Sequence, residues 1–527
     1  MPTPNEKLAA SLQELRDLQA DGSRIVASGQ LTRTTRERLV NRGFLLEVMK
    51  GWLVSTSPGV RPGDTTPWFA SFWEFCRRYC EERFADAWHL SPEQSLLLHA
   101  AHTAIPKQVI IYSPHANNNR IDLLFGTSLF ALKQQMPPAR DLERKDGLRV
   151  FRAEAALIRV AEDFFSEHPV EAKVILAGFR EPSDLLSRLL GGGRAVVAGR
   201  LAGAFRHLGK GTIADEIIAT MTAADHDVRE TDPFDRDRIE IPARMSEVPI
   251  VARLQTLWAS ARGAVLAELP DPPGLAKGHK AYLRTIDDVY ELDAYHSLSI
   301  EGYQVTPALI QRVATGAWDP ESEPSDREAS NALAARGYWL AFQRVREVVR
   351  RILESSGDIR ILRSAHRDWY RELFAPHVTA GLLSPAMLSG YRSQPVYLRG
   401  SRHVPPRSEA LRDAMPALFD LIEGEPSPSV RAVLGHWLIG YVHPFPDGNG
   451  RIARFLMNAL LASGGYPWTV IRVEDRDEYL AALETASVDS NLRSLARFVA
   501  GQMQRTKRLA KTRGRRKRGT RRRSPGR

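Results

Sequence analysis

The chain has 527 residues, 43% apolar and 26% charged, with a net charge of +11 and two cysteines. That length exceeds one ordinary core and implies about three or four domains. No run approaches the roughly 18 apolar residues that a membrane-spanning helix needs, and the polar start MPTPNEKLAASLQELRDLQA has neither the apolar core nor the cleavage pattern of a secretory signal.

Cys76 and Cys80 are helix neighbours, outside any redox or disulfide pattern, so a cytoplasmic chain with packing cysteines is expected. The positive charge is local. Residues 505–527 hold 13 Lys and Arg and no acid, and the remaining 60 basic residues face 62 acidic ones. A block of like charges resists collapse, so this tail is expected to be disordered. It is either a sticky surface for nucleic acid or a solvated end without a dedicated partner.

Residues 1–60 open with an amphipathic helix, and Ile25 and Val26 are expected to close a short second one. SGQLT then makes a turn ending in the helix cap Thr32. RTTRERLVNRG is a short basic helix ending at Gly43, and FLLEVMKGWLV is a hairpin with Gly51 in its turn. Helix, turn, basic helix and hairpin is the order of a winged helix-turn-helix, whose second helix lies in the major groove. Arg33, Arg36, Arg38 and Arg42 would then contact phosphates or bases. The same order also fits a small module that binds protein, or nothing.

Residues 61–235 mix helices with expected strands at KQVIIY and RIDLLFG, a mixed α/β pattern. The glycine-rich stretch LLSRLLGGGRAVVAGRLAGAFRHLGKGT is not a phosphate loop, because Lys210 is followed by Gly211 rather than Ser or Thr. It reads as a turn between helices. With LTRTTRERLVNRGFLLEVMKGWLV and YCEERF…LSPEQSLLLH…IPKQVII, it makes residues 1 to about 225 resemble the AbiEi-type antitoxins of abortive-infection systems. That resemblance implies an N-terminal winged helix joined to a second domain, and often repression of the protein's own operon.

The charged stretch ADHDVRETDPFDRDRIEIPARM reads as a linker. From 243 to 504 the pattern is helical, an all-α bundle. One helix carries Leu333, Trp339, Phe342, Val345, Val349 and Leu353 at helical spacing.

HPFPDGNGRIAR, His443 to Arg454, is the densest chemistry in the chain. Pro444 excludes the right-handed helix for His443, so the preceding helix ends there. Gly448 and Gly450 let the backbone turn and approach a ligand, and the next helix presents its N-terminal N–H groups to an anion. Arg451 and Arg454, three apart, share a helix face and can grip one polyphosphate. Asp447 suits a hard cation, and His443 suits a general base.

The stretch fits the signature HxFx(D/E)GNGRxxR and is similar to the Fic family. The resemblance implies that His443 deprotonates a target hydroxyl, Phe445 anchors the loop and Asp447 holds Mg²⁺. Gly448, Asn449 and Gly450 would bind the α- and β-phosphates of ATP, and Arg451 and Arg454 the outer ones. Upstream, GYRSQPVYLRGSRHVPP resembles the family's β-hairpin flap, which docks the target by adding a strand. Val396, Tyr397 and Leu398 form one expected arm, His403 and Val404 the other, with Gly400 in the turn; otherwise this is a surface loop.

Ser297, Glu301 and Gly302 match the family's inhibitory pattern [ST]xxxE[GN]. Ile286, Val289, Leu292 and Tyr295 are expected to pack the helix that carries it. By resemblance Glu301 would pair with Arg454 where the γ-phosphate belongs, with Ser297 holding the helix; read blandly, Glu301 merely precedes a helix-stopping glycine.

Together these features imply a mainly α protein. A winged helix and an α/β middle domain precede an all-α Fic fold with a small hairpin flap. The implied activity is Mg²⁺-dependent transfer of AMP from ATP to a Tyr, Ser or Thr hydroxyl of a protein. The alternative is a DNA-binding regulator whose Fic portion senses nucleotide. The sequence leaves open whether Glu301 acts within one chain or across a homodimer.

Overall fold

A computed structural model describes residues 3–59, 63–234, 245–275, 278–316 and 330–521, with side chains in the last helix described to Arg508. The chain forms two units: Met1–Thr256 with Tyr397–Val404, and Leu257–Val396 with Pro405–Arg527.

In the first unit, α1 (Pro4–Leu18) starts at a capping box between Thr3 and Glu6. There follow β1 (Ile25–Ala27), a 3₁₀ turn at Ser28–Gln30, α2 (Arg33–Asn41), β2 (Leu45–Met49) and β3 (Trp52–Ser55). The Thr32 hydroxyl accepts the Thr35 N–H and caps α2 as expected. Ile25 and Val26, expected in a helix, instead pair with Val54 and Leu53 in a β1-β3-β2 sheet. Two adjacent β-branched residues favour the pleated sheet, and each covers a different face.

Val26, Leu45 and Leu53 pack with Leu15 of α1, Leu39 of α2 and Leu31 between them. On the other face Ile25, Val48, Trp52 and Val54 join Trp68, Phe72, Phe75, Cys76 and Cys80 of α3 (Thr66–Phe84). The cysteines are therefore packing residues. Residues 1–60 share this core with α3, so no core boundary falls at 60.

Next comes a four-stranded sheet, β4 (His89–Leu90), β5 (Gln108–Ser113), β7 (Ser128–Lys133) and β6 (Asn119–Asp122) in that spatial order, with β5 and β7 parallel. KQVIIY supplies β5. RIDLLFG is a strand only to Asp122 and then turns at Leu124–Gly126. A hairpin of β8 (Leu142–Lys145) and β9 (Leu148–Phe151) comes after it. The helices are α4 (Pro92–His99), α5 (Ala153–Leu157), α6 (Asp163–Glu167), α7 (Pro169–Ala177), α8 (Ser183–Leu190), α9 (Ala195–His207) and α10 (Gly211–Ala223).

The glycine-rich stretch is the α8–α9–α10 run, as expected. Lys210 donates to the carbonyls of Ala177 and Phe179 and so braces α7. Gly199 and Gly203 let the chain at 229–232 lie directly on α9: a Cβ there would meet Arg229 O at 1.9 Å or Thr231 O at 2.1 Å. Residues 235–244 of the expected linker lie outside the described residues.

The expected hairpin flap is not a hairpin. Val396–Leu398 form no strand, and Gly400, at φ +73°, turns the chain. Residues 402–404 pair instead with 103–105 of the first unit. Ile105 N–H donates to Arg402 O at 2.8 Å, Val404 N–H donates to Thr103 O at 2.9 Å, and His403 bridges Ala104. Arg399 adds an ion pair to Asp64 at 3.0 Å. The strand-forming valence of this segment is thus satisfied by a partner some 300 residues earlier in the sequence.

α11 (Pro249–Glu268) carries the chain into the second unit, whose described elements are all helical. They are α12 (His279–Ile300), α13 (Pro307–Ala314), α14 (Ser330–Glu354), α15 (Leu362–Thr379), α16 (Leu411–Gly424), α17 (Pro428–Val442), α18 (Asn449–Ser463), α19 (Arg476–Val488) and α20 (Arg493–Arg521). α17 and α18 are buried along nearly their whole lengths and form the centre.

On α14, Tyr338 rather than Trp339 turns into the core. α20 runs to Arg521, so the tail expected to be disordered from 505 is helical that far; Arg, Lys and Ala are good helix formers once a docked first turn nucleates them. Residues 522–527 lie outside the described residues. Among the described residues no helix is long and apolar enough to cross a membrane.

Candidate functional site

The site lies where α17 gives way to α18. Pro444 bars His443 from continuing the helix, and His443 instead takes the left-handed conformation, φ 50° and ψ 60°, as the α17 C-cap. That conformation costs a non-glycine residue about 1 kcal/mol, and Arg392 helps to hold it. This guanidinium, 4% exposed, donates to His443 O at 2.7 Å, Val442 O at 3.3 Å and Pro406 O. Its own N–H donates to Pro444 O at 2.8 Å.

His443 Nδ1 lies 3.2 Å from Gly440 O, an arrangement in which Nδ1–H donates and Nε2 keeps its lone pair. Burial lowers the imidazole to about 4, so it is neutral at pH 7.

The loop is pinned at Phe445, which is fully buried and stacks on Tyr370 at 4.2 Å and 10°. Asn449 braces it from the other side: its Oδ1 accepts Phe445 N–H at 2.9 Å and its Nδ2 donates to Phe445 O at 2.8 Å. The Asn449 side chain is therefore committed to the loop, and only its backbone N–H faces a ligand. Gly448, at φ +76°, is the α18 N-cap, and the first turn of α18 leaves N–H groups without helical acceptors.

Two arginines converge on that turn. Arg451 is 1% exposed, sandwiched between the rings of Tyr303 at 5.4 Å and Phe374 at 5.0 Å. Among the described residues its Nε and Nη1 have no hydrogen-bond acceptor, and Nη2 lies 3.6 Å from Asp447 Oδ2. Buried guanidinium donors without partners are costly unless an anion completes them. Arg454 donates from Nε to Ser297 Oγ at 2.9 Å and from Nη2 to Ser297 O at 3.1 Å and Glu301 Oε1 at 2.7 Å.

Glu301 is the C-cap of α12 and lies over Gly450, where a Cβ would come within 2.4 Å of its Oε1. Burial pushes the Glu301 carboxyl up, but Arg454 and Arg451 outweigh this and hold it below the usual carboxylate range. A carboxylate thus sits on the cation pair at the helix N-terminus, where a phosphate would otherwise fit. Gly302 comes next at φ +93° and ends the helix.

Asp447 keeps 56% of its side chain exposed, and Oδ1 accepts Gly448 N–H at 2.5 Å. Among the described residues no group of three or more His, Cys, Asp or Glu could hold a metal unaided. A cation here would use Asp447 together with phosphate oxygens, the usual way Mg²⁺ is held.

The fold thus gathers His443, Phe445, Asp447, Gly448, Asn449, Gly450, Arg451, Arg454, Ser297, Glu301 and Gly302 in one place. It does not bring Val396–Leu398 into a strand. Arg392 and the Tyr303–Phe374 sandwich were missed from sequence, because they lie outside the motif and carry no local signal. His366 and His436 are packing residues: His366 Nδ1 donates to Leu362 O and its Nε2 pairs with the Tyr391 hydroxyl, and His436 Nε2 meets the Tyr479 hydroxyl at 2.8 Å.

Of the N-terminal arginines, Arg33 is paired with Glu37, and Arg38 is turned back onto Ser11 and Lys7 O of α1. Arg42 is exposed at the α2 C-cap and Arg36 is half-buried.

Chemically, the arrangement is a polyanion cradle at a helix N-terminus beside a neutral imidazole base. Residues 342–461, which contain the loop and both arginines but not Glu301, match the Fic/DOC family. The chain is 32% identical over 230 residues to "Protein adenylyltransferase Fic" of Nematostella vectensis, covering 42% of this chain and 49% of that protein. With the protein of the same name from Drosophila willistoni, identity is 29% over 234 residues, covering 44% and 43%. The chain therefore spans just under half the length of these relatives. Among solved structures, Fic-1 (residues 134–508) from C. elegans aligns with a TM-score of 0.36 at 20% identity, covering 63% of this chain and 93% of that one.

Proposed function

We propose that the protein is an adenylyltransferase that moves AMP from ATP to a hydroxyl side chain of another protein and is held back by Glu301. The observation that carries this is Arg451, buried with unpartnered donors at the α18 N-terminus, with a neutral His443 on the same loop. The names of the relatives favour ATP as the donor and a protein as the acceptor.

In this reading the α18 N–H groups and Arg451 hold the phosphates, and His443 Nε2 takes the proton from the attacking hydroxyl. The hydroxyl oxygen bonds to the α-phosphorus as pyrophosphate leaves. Mg²⁺ at Asp447 would supply charge neutralisation on the phosphates. Positioning and preorganised charge do most of the catalytic work. Glu301 competes because its carboxylate already satisfies Arg454, which a γ-phosphate would need.

A second reading, DNA binding by the first unit in the manner of AbiEi-type antitoxins, is favoured by the α1–β1–α2–β2–β3 order and by the exposed Arg42. With Arg38 committed to α1, the contacts would fall to Arg33, Arg36 and Arg42.

The test incubates full-length Glu301→Gly protein with Mg²⁺ and ATP labelled at the α- or the γ-phosphate, in a lysate of its host. Protein label from α-ATP alone, lost in a Glu301→Gly/His443→Ala control, is expected. Label from the γ position would make the enzyme a kinase. No label from either would leave the DNA-binding reading standing alone.

A further inference from the structure

Beyond the inhibitory pattern, α12 carries another polar residue on the same stripe. Asp293, Ser297 and Glu301 recur every four residues, so they share one helix face. Ser297 and Glu301 both end on Arg454, as described. Asp293 does not reach Arg454 by any hydrogen bond; its Oδ2 accepts the Tyr338 hydroxyl of α14 at 2.6 Å.

Both groups are deeply buried, Asp293 at 5% and Tyr338 at 1% exposure. The Tyr338 ring also packs on Phe455 of α18, with centroids 4.9 Å apart, next to Arg454 in sequence. One tyrosine therefore ties three helices together: the one bearing Glu301, the one bearing Arg454, and its own.

A buried carboxylate is a poor choice for stability alone, even with the Tyr338 hydroxyl, Trp468 and the charge of Arg454 acting on it. It is a good choice for fixing a helix in one register, because an alternative rotation leaves the charge without a partner. A slip of one residue turns a helix by about 100° and moves its C-terminal side chains off their partners. At about 1.5 Å per residue, Asp293 lies roughly 12 Å along the axis from Glu301, too far to touch a nucleotide held by Arg451.

We propose that Asp293 and Tyr338 are positioning residues that lock α12 in the register that delivers Glu301 to Arg454, so that the hydrogen bond between them sets how tightly the site is closed. This rests on the reading of Glu301 as an inhibitor. Neither residue contacts the reacting atoms, and neither belongs to the inhibitory pattern.

The experiment measures binding of a fluorescent ATP analogue with Mg²⁺ to full-length protein. The variants are Tyr338→Phe, Asp293→Leu, Asp293→Asn and Glu301→Gly, with Tyr338→Phe also made in the Glu301→Gly background. Each melting temperature is recorded alongside.

Tyr338→Phe and Asp293→Leu are expected to bind roughly tenfold more tightly than the unmodified chain, the effect of losing one hydrogen bond to a charged group. Asp293→Asn keeps an acceptor for the tyrosine hydroxyl and is expected to stay near the unmodified value. Once Glu301 is gone, Tyr338→Phe should add nothing.

If Glu301→Gly tightens binding and Tyr338→Phe does not, the positioning role is wrong while the inhibitory reading survives. If Tyr338→Phe acts equally in both backgrounds, it works by a route other than Glu301 and the proposal also falls. If Glu301→Gly itself leaves binding unchanged, both readings fail together. Should Asp293→Leu lower the melting temperature too far to be read, Tyr338→Phe, which removes only one oxygen, decides alone.

Discussion

Burial moves the Asp293 carboxyl up to about 6, although the Tyr338 hydroxyl pulls the other way. The folded chain therefore holds this proton more tightly than the unfolded chain, where the group titrates near 4. Between about pH 4 and pH 6 the native state carries a proton that the unfolded state lacks. Stability contributed by this group thus falls as pH rises through that window, and the cost is fully present above it. Asp293→Asn removes the titration. In chemical denaturation, the variant is expected to exceed the parent in stability at pH 7.5, with the gap closing by about pH 4. A gap independent of pH would show that the carboxyl does not titrate there.

Phe445 supports a prediction of a different kind. Truncating a fully buried ring stacked on Tyr370 removes about 3–5 kcal/mol. Phe445→Ala should show this loss in urea denaturation together with loss of the proposed AMP transfer. Most of this residue-level chemistry was legible, because the loop packs its proline, glycine and charge signals into 12 consecutive positions. The Asn449 side chain was not legible. A motif says which residue stands at a position, but not whether it faces a ligand or its own loop.

At the level of elements, glycine acts in two different ways. On α14, a Cβ at Gly337 would meet Leu373 O of α15 at 2.1 Å, so the pair can approach only without a side chain there. Gly337→Ala must push the backbones apart and is expected to cost at least 2 kcal/mol, read as a fall in the midpoint of thermal unfolding. Gly400 is the opposite case. Nothing lies within 4 Å of its missing Cβ, but φ is +73°, so Gly400→Ala adds backbone strain without a clash. If residues 402–404 and 103–105 are one paired element, that substitution should speed amide hydrogen exchange at Ile105 and Val404 together; a change at Val404 alone would refute the pairing.

Helix existence and order were readable from apolar periodicity, but facing was less so. The stripe Ile286, Val289, Leu292, Tyr295 was expected inward on α12. The buried side instead runs through Ile286, Tyr290, Asp293 and Ser297, with Val289, Leu292 and Tyr295 less buried. Polar residues placed at core positions defeat a hydrophobic count. The flap failed for a related reason: its strand partner is distant in sequence, and no local pattern announces it.

Across the whole molecule, charge is segregated rather than spread. The chain outside 505–527 is nearly balanced, whereas that segment carries 13 positive charges and continues as helix to Arg521. In the DNA-binding reading, a block of 13 Lys and Arg without an acid is a match, by composition, for a polyanion such as duplex DNA. Binding of that kind is driven by counterion release. The logarithm of the affinity then falls with the logarithm of salt by about 0.9 for each phosphate neutralised.

Replacing Arg515, Arg516, Lys517 and Arg518 by glutamine should therefore weaken binding to a random-sequence duplex and flatten the salt slope by about 3 to 4. Changing Arg33 and Arg36 in α2 and Arg42 at its C-cap should instead alter any preference between sequences while leaving the remaining salt slope largely in place. If the four tail substitutions leave both affinity and slope unchanged, the basic helix is a solvated end, and any DNA binding by this protein belongs to the first unit.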